Sequence, residues 1–137
     1  MIYYRQKIDN FTEKFEECSI IVLLGENHSI LQKDAKKISD ALAGKVAVEE
    51  MRVNKYFNHE IIEKRNEIIT SLKTKSFFPG RQIILLNELN EKDYKIITEI
   101  DAEWQNGDAI TIVTMNALSK KSDVIKLLAS SDRMAVV

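Results

Sequence analysis

Apolar residues in this chain come in two textures that alternate along its length. Short unbroken runs, such as Ile20-Ile21-Val22-Leu23-Leu24, fit strands buried on both faces of a parallel sheet. Similar runs predict a second strand at Val46-Ala47-Val48 leading into Glu49–Val53, a third at Gln82–Leu86, a fourth at Ala109–Thr114 and a fifth beginning at Met134. Between them, apolar positions recur at helical spacing among charges. Ile30, Leu31, Ala35, Ile38, Ala41 and Leu42 mark one helix, with Ser29 and Gln32 in the form of a capping box and Gly44 as its stop. Ile61, Ile62, Ile68, Ile69 and Leu72 mark another, capped by Asn58 and closed by Lys73-Thr74-Lys75-Ser76, with positive charge at the negative end of the helix dipole. A third follows Asn90 with Tyr94, Ile97, Ile100 and Trp104, and a fourth follows Ser119 with Val124, Leu127 and Leu128. Phe11 and Phe15 predict a short helix over Asp9–Glu17, preceded by an extended arm at Ile2–Arg5.

Strand and helix therefore alternate five times. The expected fold is α/β and three-layered: a five-stranded, mostly parallel sheet flanked by helices and joined by right-handed crossovers. Nothing in the pattern marks a linker or repeat, so residues 1–137 read as one domain. The chain stops on its fifth predicted strand, which suggests a fragment of something longer.

Composition narrows the function. The 137 residues are 45% hydrophobic and 30% charged, as in ordinary globular chains. Lys plus Arg number 20 against 21 acidic residues, a net charge of −1. That balance argues against strong nucleic-acid binding by this piece alone. The lone thiol, Cys18, suits a reducing compartment and has no neighbours at metal-ligand spacing. No apolar run is long enough to span a bilayer, and the N-terminus lacks a signal-peptide layout, so the cytoplasm is the expected location.

A doubly wound sheet binds ligands beyond the C-terminal ends of its strands. The loop after the first strand is Gly25-Glu26-Asn27-His28-Ser29. A phosphate-binding loop needs several glycines and a lysine there; this loop has one glycine, no lysine and an acidic Glu26. The third strand ends in Asn87-Glu88 where an Mg²⁺-holding Asp belongs. A phospho-receiver reading fails at the same positions. His28 and His59 lie outside any metal-ligand spacing and read as surface or capping residues. No catalytic, cofactor or metal residues are expected. The surviving enzyme reading is a divergent P-loop-type nucleotide-binding NTPase using Glu26, Asn87 and Glu88; a scaffold domain of unrelated function is a third reading.

The most distinctive stretch is Ser76-Phe77-Phe78-Pro79-Gly80-Arg81-Gln82, ahead of Ile83-Ile84-Leu85-Leu86. It holds the only proline. Pro79-Gly80 fits the centre of a type II turn, and the residue before a proline is pushed out of the helical region. Phe77 and Phe78 then project where a helix ends and a strand begins. They either pack beneath the strand or are held out for a partner.

This stretch resembles the bacterial DNA polymerase III delta subunit, the clamp-loader component that engages the sliding clamp. The family pattern is a helix ending in an apolar residue plus Phe, two small residues, an Arg and an apolar strand. The segment Thr114-Met115-Asn116-Ala117-Leu118-Ser119-Lys120-Lys121-Ser122 and the strand, Gly-acidic turn and long helix over Ile21–Leu42 are similar as well. The resemblance covers essentially the whole chain. It implies a fold related to the AAA+ nucleotide-binding module with the ATP site lost, no cofactor and no intrinsic activity. It implies a wrench that binds one face of the ring-shaped beta clamp and helps open it, through Phe77 and Phe78 on a turn supported by Pro79, Gly80 and Arg81. Phe77 is larger than the family's usual aliphatic residue, and Pro79 is not a strict family feature. The intact subunit carries lid and collar domains after this one, through which it joins the other loader subunits. DNA contact is implied only indirectly, within the assembled loader of a cytoplasmic, nucleoid-associated replisome.

Overall fold

The computed structural model describes residues 18–45, 47, 52–73, 81–105, 107–116 and 134–136. The predicted Asp9–Glu17 helix, the helix after Ser119 and residues Phe77, Phe78, Pro79 and Gly80 lie outside them.

Strand β1 (Ile20–Leu24) leads into helix α1 (His28–Ala43), and β2 (Val53–Phe57) into the short helices α2 (Glu60–Glu63) and α3 (Arg65–Ser71). Strand β3 (Ile83–Leu89) is followed by a 3₁₀ turn (Glu91–Asp93), helix α4 (Lys95–Glu103) and β4 (Ile110–Met115); β5 is Met134–Val136. The sheet order is β2-β3-β4-β1-β5, with every pairing parallel. Strands of five to seven residues form its body, and the three-residue β5 pairs with β1 at one edge.

Alternation along the central strands feeds two cores, one on each face. Ile21, Leu23, Ile83, Leu85, Ile110 and Ile112 meet Leu31, Ala35 and Ile38 of α1. Ile20, Val22, Ile84, Leu86, Val113 and Met115 meet Ile61, Ile68, Ile96, Ile97 and Ile100 from the other helices. Because β1, β3 and β4 are interior, both of their faces must be apolar, which is why they read as continuous runs. The parallel sheet flanked by helices is as the pattern predicts.

Several boundaries differ. The second strand is Val53–Phe57, downstream of Val46–Val48, and Ala47 lies in a turn. β2 is an edge strand whose one buried side chain is Tyr56, so it needs no long apolar run. Helix α1 is capped two residues earlier than Ser29: Asn27 Oδ1 accepts from the Ser29 and Ile30 amides at 3.0 and 3.3 Å. Asn58 caps nothing with its side chain; it turns with φ 45°, and the helix predicted from it is broken at Lys64 (φ −105°, ψ 24°). The break separates α2 from α3 but leaves Ile61 and Ile68 both fully buried. Asn90 likewise makes no side-chain cap bond.

Candidate functional site

The two ends of the sheet are built differently. At the C-terminal strand ends, β1 and α1 are joined by Gly25, Glu26 and Asn27 alone. Gly25 donates to Met115 O at 3.2 Å, which ties the loop to the end of β4. A Cβ on Gly25 would meet Leu31 Cδ2 at 3.1 Å, so the loop lies tight on its own helix. A helix N-terminus attracts anions through its unpaired amides. Here Asn27 fills that role for Ser29 and Ile30.

Glu88 is a residue of β3. It sits at an irregularity between Leu86 and Leu89 with φ 59°, and its N–H donates to Thr114 Oγ1 at 2.9 Å. Its carboxylate lies 3.8 Å from His28 Nδ1, which is shielded from solvent and makes no hydrogen bond. Asn87 is buried, and its carbonyl accepts from Asn58 N at 2.9 Å. Glu26, Asn87 and Glu88 thus fall at one end of the sheet, as the fold requires, but Asn87 is engaged in the chain's own packing. No group of three or more His, Cys, Asp or Glu side chains among the described residues is placed to hold a metal ion.

At the opposite end, the chain leaves the described structure at Lys73 and re-enters at Arg81. Both residues reach the same partner. Lys73 Nζ lies 2.8 Å from Asp108 Oδ2, and Arg81 Nη1 donates to the Asp108 carbonyl at 3.3 Å. Asp108 is itself fixed: its carboxylate accepts from Gln105 N at 2.9 Å, and its N–H donates to Gln105 O at 3.0 Å. The neighbouring backbone repeats the clasp, because Ala109 N donates to Leu72 O and Ile110 N to Gln82 O. Gly107 makes the turn with φ 95°, a conformation that glycine adopts without a Cβ penalty.

A buried arginine secures Arg81 from the other side. Arg52 is 4% exposed, and its Nη1 donates to Ala43 O at 2.6 Å and to Arg81 O at 3.0 Å. The first bond places a cation on the last carbonyls of α1, where the helix dipole favours it. The second carries that anchoring to the residue that restarts the chain before β3. Pinning both ends of a short segment removes most of its closure entropy in advance.

Of the residues singled out in the sequence, Arg81 is therefore held in a defined frame. Phe77, Phe78, Pro79 and Gly80 are outside the described residues. The sequence marks Lys73 only as a charge that closes a helix, and does not single out Asp108 or Arg52. Asn106-Gly107-Asp108 has the composition of a turn, but an aspartate in a turn does not announce what it will grip.

Comparison with known proteins decides the family. A sequence model of the DNA polymerase III delta subunit matches residues 21–136. The chain belongs to the DNA polymerase III delta subunit family. No curated protein matches it. Among solved structures, it is similar to a DNA polymerase III gamma subunit-related protein from Thermotoga maritima, with a TM-score of 0.59 at 12% identity. That likeness covers 96% of this chain and 45% of the other, so this delta-family chain spans less than half of that protein's length. At such identity the likeness concerns the fold alone.

Proposed function

We propose that this delta-family domain is a non-catalytic clamp-loader module that binds the beta sliding clamp and helps open it for loading on DNA. Phe77 and Phe78 make the contact, on the turn of Pro79, Gly80 and Arg81. The observation that carries the reading is the family match over residues 21–136, and the clasp of Lys73 and Arg81 on Asp108 supports it. Fixed flanks remove from binding the part of the cost that comes from bringing the ends of the segment together. Each ring contributes roughly 1.5–3 kcal/mol when buried in a partner, so the pair dominates a small interface as hot spots do.

The module is related to AAA+ nucleotide-binding domains and works without ATP. Its three-residue loop after β1 and the Asn27 cap leave the α1 N-terminus satisfied from within. Other loader subunits join through the lid and collar domains of the whole subunit, and DNA is met only within that assembly. The family implies a module of the cytoplasmic replisome; among the described residues no helix is long and apolar enough to cross a membrane.

The test is a titration of the cognate clamp with the wild-type chain and with Phe77→Ala/Phe78→Ala. The double substitution abolishes measurable binding and leaves the far-ultraviolet circular dichroism unchanged. Undiminished affinity refutes the assignment of the contact to these rings.

A further inference from the structure

Among the described residues no strand pairs with the outer edge of β2, and the neighbouring bonds fix which of its backbone groups face outward. Ile83 N donates to Arg52 O, and Asn58 N donates to Asn87 O. Successive residues of a strand turn their N–H and C=O to opposite sides. Arg52, Asn54, Tyr56 and Asn58 therefore face β3, while Val53, Lys55 and Phe57 face away from the sheet. The Phe57 N–H is taken by the Glu60 carboxylate. The backbone groups of Val53 and Lys55 bond to no other described residue.

A depression flanks this edge on each face. On the α1 side, a groove of ≈ 540 Å³ is walled by Lys36, Lys45 and Lys55 over apolar Val53, Phe57 and Leu85. Phe57 is 46% exposed, one of two large apolar side chains that far exposed among the described residues. Asp40 is the single acid among the groove's described lining residues. On the other side, Asn54, Tyr56, Glu67 and Thr70 contribute to a polar pocket of ≈ 420 Å³. The strand thus sends Val53, Lys55 and Phe57 to one depression and Asn54 and Tyr56 to the other.

An open edge with a pocket on each face at strand periodicity is the geometry for adding an extended peptide, whose alternate side chains enter the two pockets. We propose that β2 receives an extended acidic segment of a partner protein as an added strand, with acidic side chains among the three lysines and small polar ones against Asn54 and Tyr56. The lysines select the sign of the occupant. They also disfavour a second copy of this edge, which would bring Lys55 against Lys55. A nucleic-acid strand would use the lysines but leave the Val53 and Lys55 backbone groups and the polar pocket unused.

The test uses the whole chain and a fluorescent peptide of alternating Thr and Glu, titrated by anisotropy at about 50 mM salt, where charge screening is weak. Saturable binding is expected, with amide shifts centred on Val53 and Lys55. Lys36→Glu/Lys55→Glu weakens it about tenfold or more. N-methylation of alternate peptide amides abolishes binding in the phase that faces β2 and is tolerated in the other. The proposal is overturned by no saturation at millimolar peptide, or by equal binding of a Thr-Lys peptide. Indifference to the phase of N-methylation overturns it too, as does tighter binding of an oligothymidine at the same lysines.

Discussion

The C-terminal end of the sheet has the place of a nucleotide site and the furniture of a closed one; the N-terminal end has no traditional site and is the more heavily braced. At the first, Asn27 caps α1, Gly25 is bonded to β4, and Glu88 sits at a strand irregularity beside His28. At the second, Asp108 and Arg52 hold the two flanks of residues 74–80 from different directions. One strand order thus carries two differently built ends: a short loop tied to its own helix and to β4 at one, and two chain flanks gripped by Asp108 at the other.

Removing the deepest brace has the largest expected effect on stability. Arg52→Met leaves the Ala43 and Arg81 carbonyls without their buried donor, a loss of about 3 kcal/mol for charged hydrogen bonds in that setting. Denaturant unfolding measures it; a loss under about 1 kcal/mol would show that α1 and β3 do not depend on this link. Asp108→Ala is milder. It frees Lys73 and the Gln105 amide for about 1–2 kcal/mol in stability, and weakens clamp binding by loosening the Lys73 flank, while Arg81 keeps its bond to the residue 108 carbonyl. Clamp affinity unchanged in Asp108→Ala would separate the clasp from the proposed contact.

The opposite end yields smaller effects. Asn27→Ala removes the α1 cap and lowers stability by about 1 kcal/mol. Calorimetric titration with Mg-ATP gives no saturable heat for either protein, since exposing two amides does not supply a longer loop or a lysine. A saturable signal would revive the nucleotide-binding reading. Smallest is an alkaline effect at β2. Burial, and then the charge of Glu67, raise the Tyr56 pKa above its usual value of 10.0. The fold therefore favours the neutral phenol, so this stability is present in full below about pH 10 and is lost as pH rises through the raised value. Between those limits the wild type loses more stability than Tyr56→Phe; equal losses would contradict the burial of that hydroxyl.

The legibility of the chain follows the same division between interior and edge. Ile20–Leu24 announces an interior strand because both faces must be apolar, and its bounds coincide with those of β1. Val53-Asn54-Lys55-Tyr56-Phe57 is equally a strand, but at the edge one buried tyrosine suffices, so no run marks it. Caps were harder still. Ser29 and Gln32 have the right spacing, yet Asn27 reaches the amides first, and a side chain two residues upstream wins because the helix starts at His28. The brace at the N-terminal end was invisible for a different reason. Asp108 is far in sequence from Lys73 and Arg81, and only the sheet order brings β3 and β4 side by side. For Phe77 and Phe78, which lie outside the described residues, pattern and spacing leave core and partner as alternatives, and only the family resemblance favours a partner.

Parallel titration of the beta clamp with wild type, Phe77→Ala/Phe78→Ala and His28→Ala/Glu88→Gln weighs the two ends against each other. The expected result is loss of measurable binding for the phenylalanine pair alone, with the His28 and Glu88 variant matching wild type. Equal loss in both variants, or loss confined to the His28 and Glu88 variant, would contradict the claim that the working surface lies at the braced end.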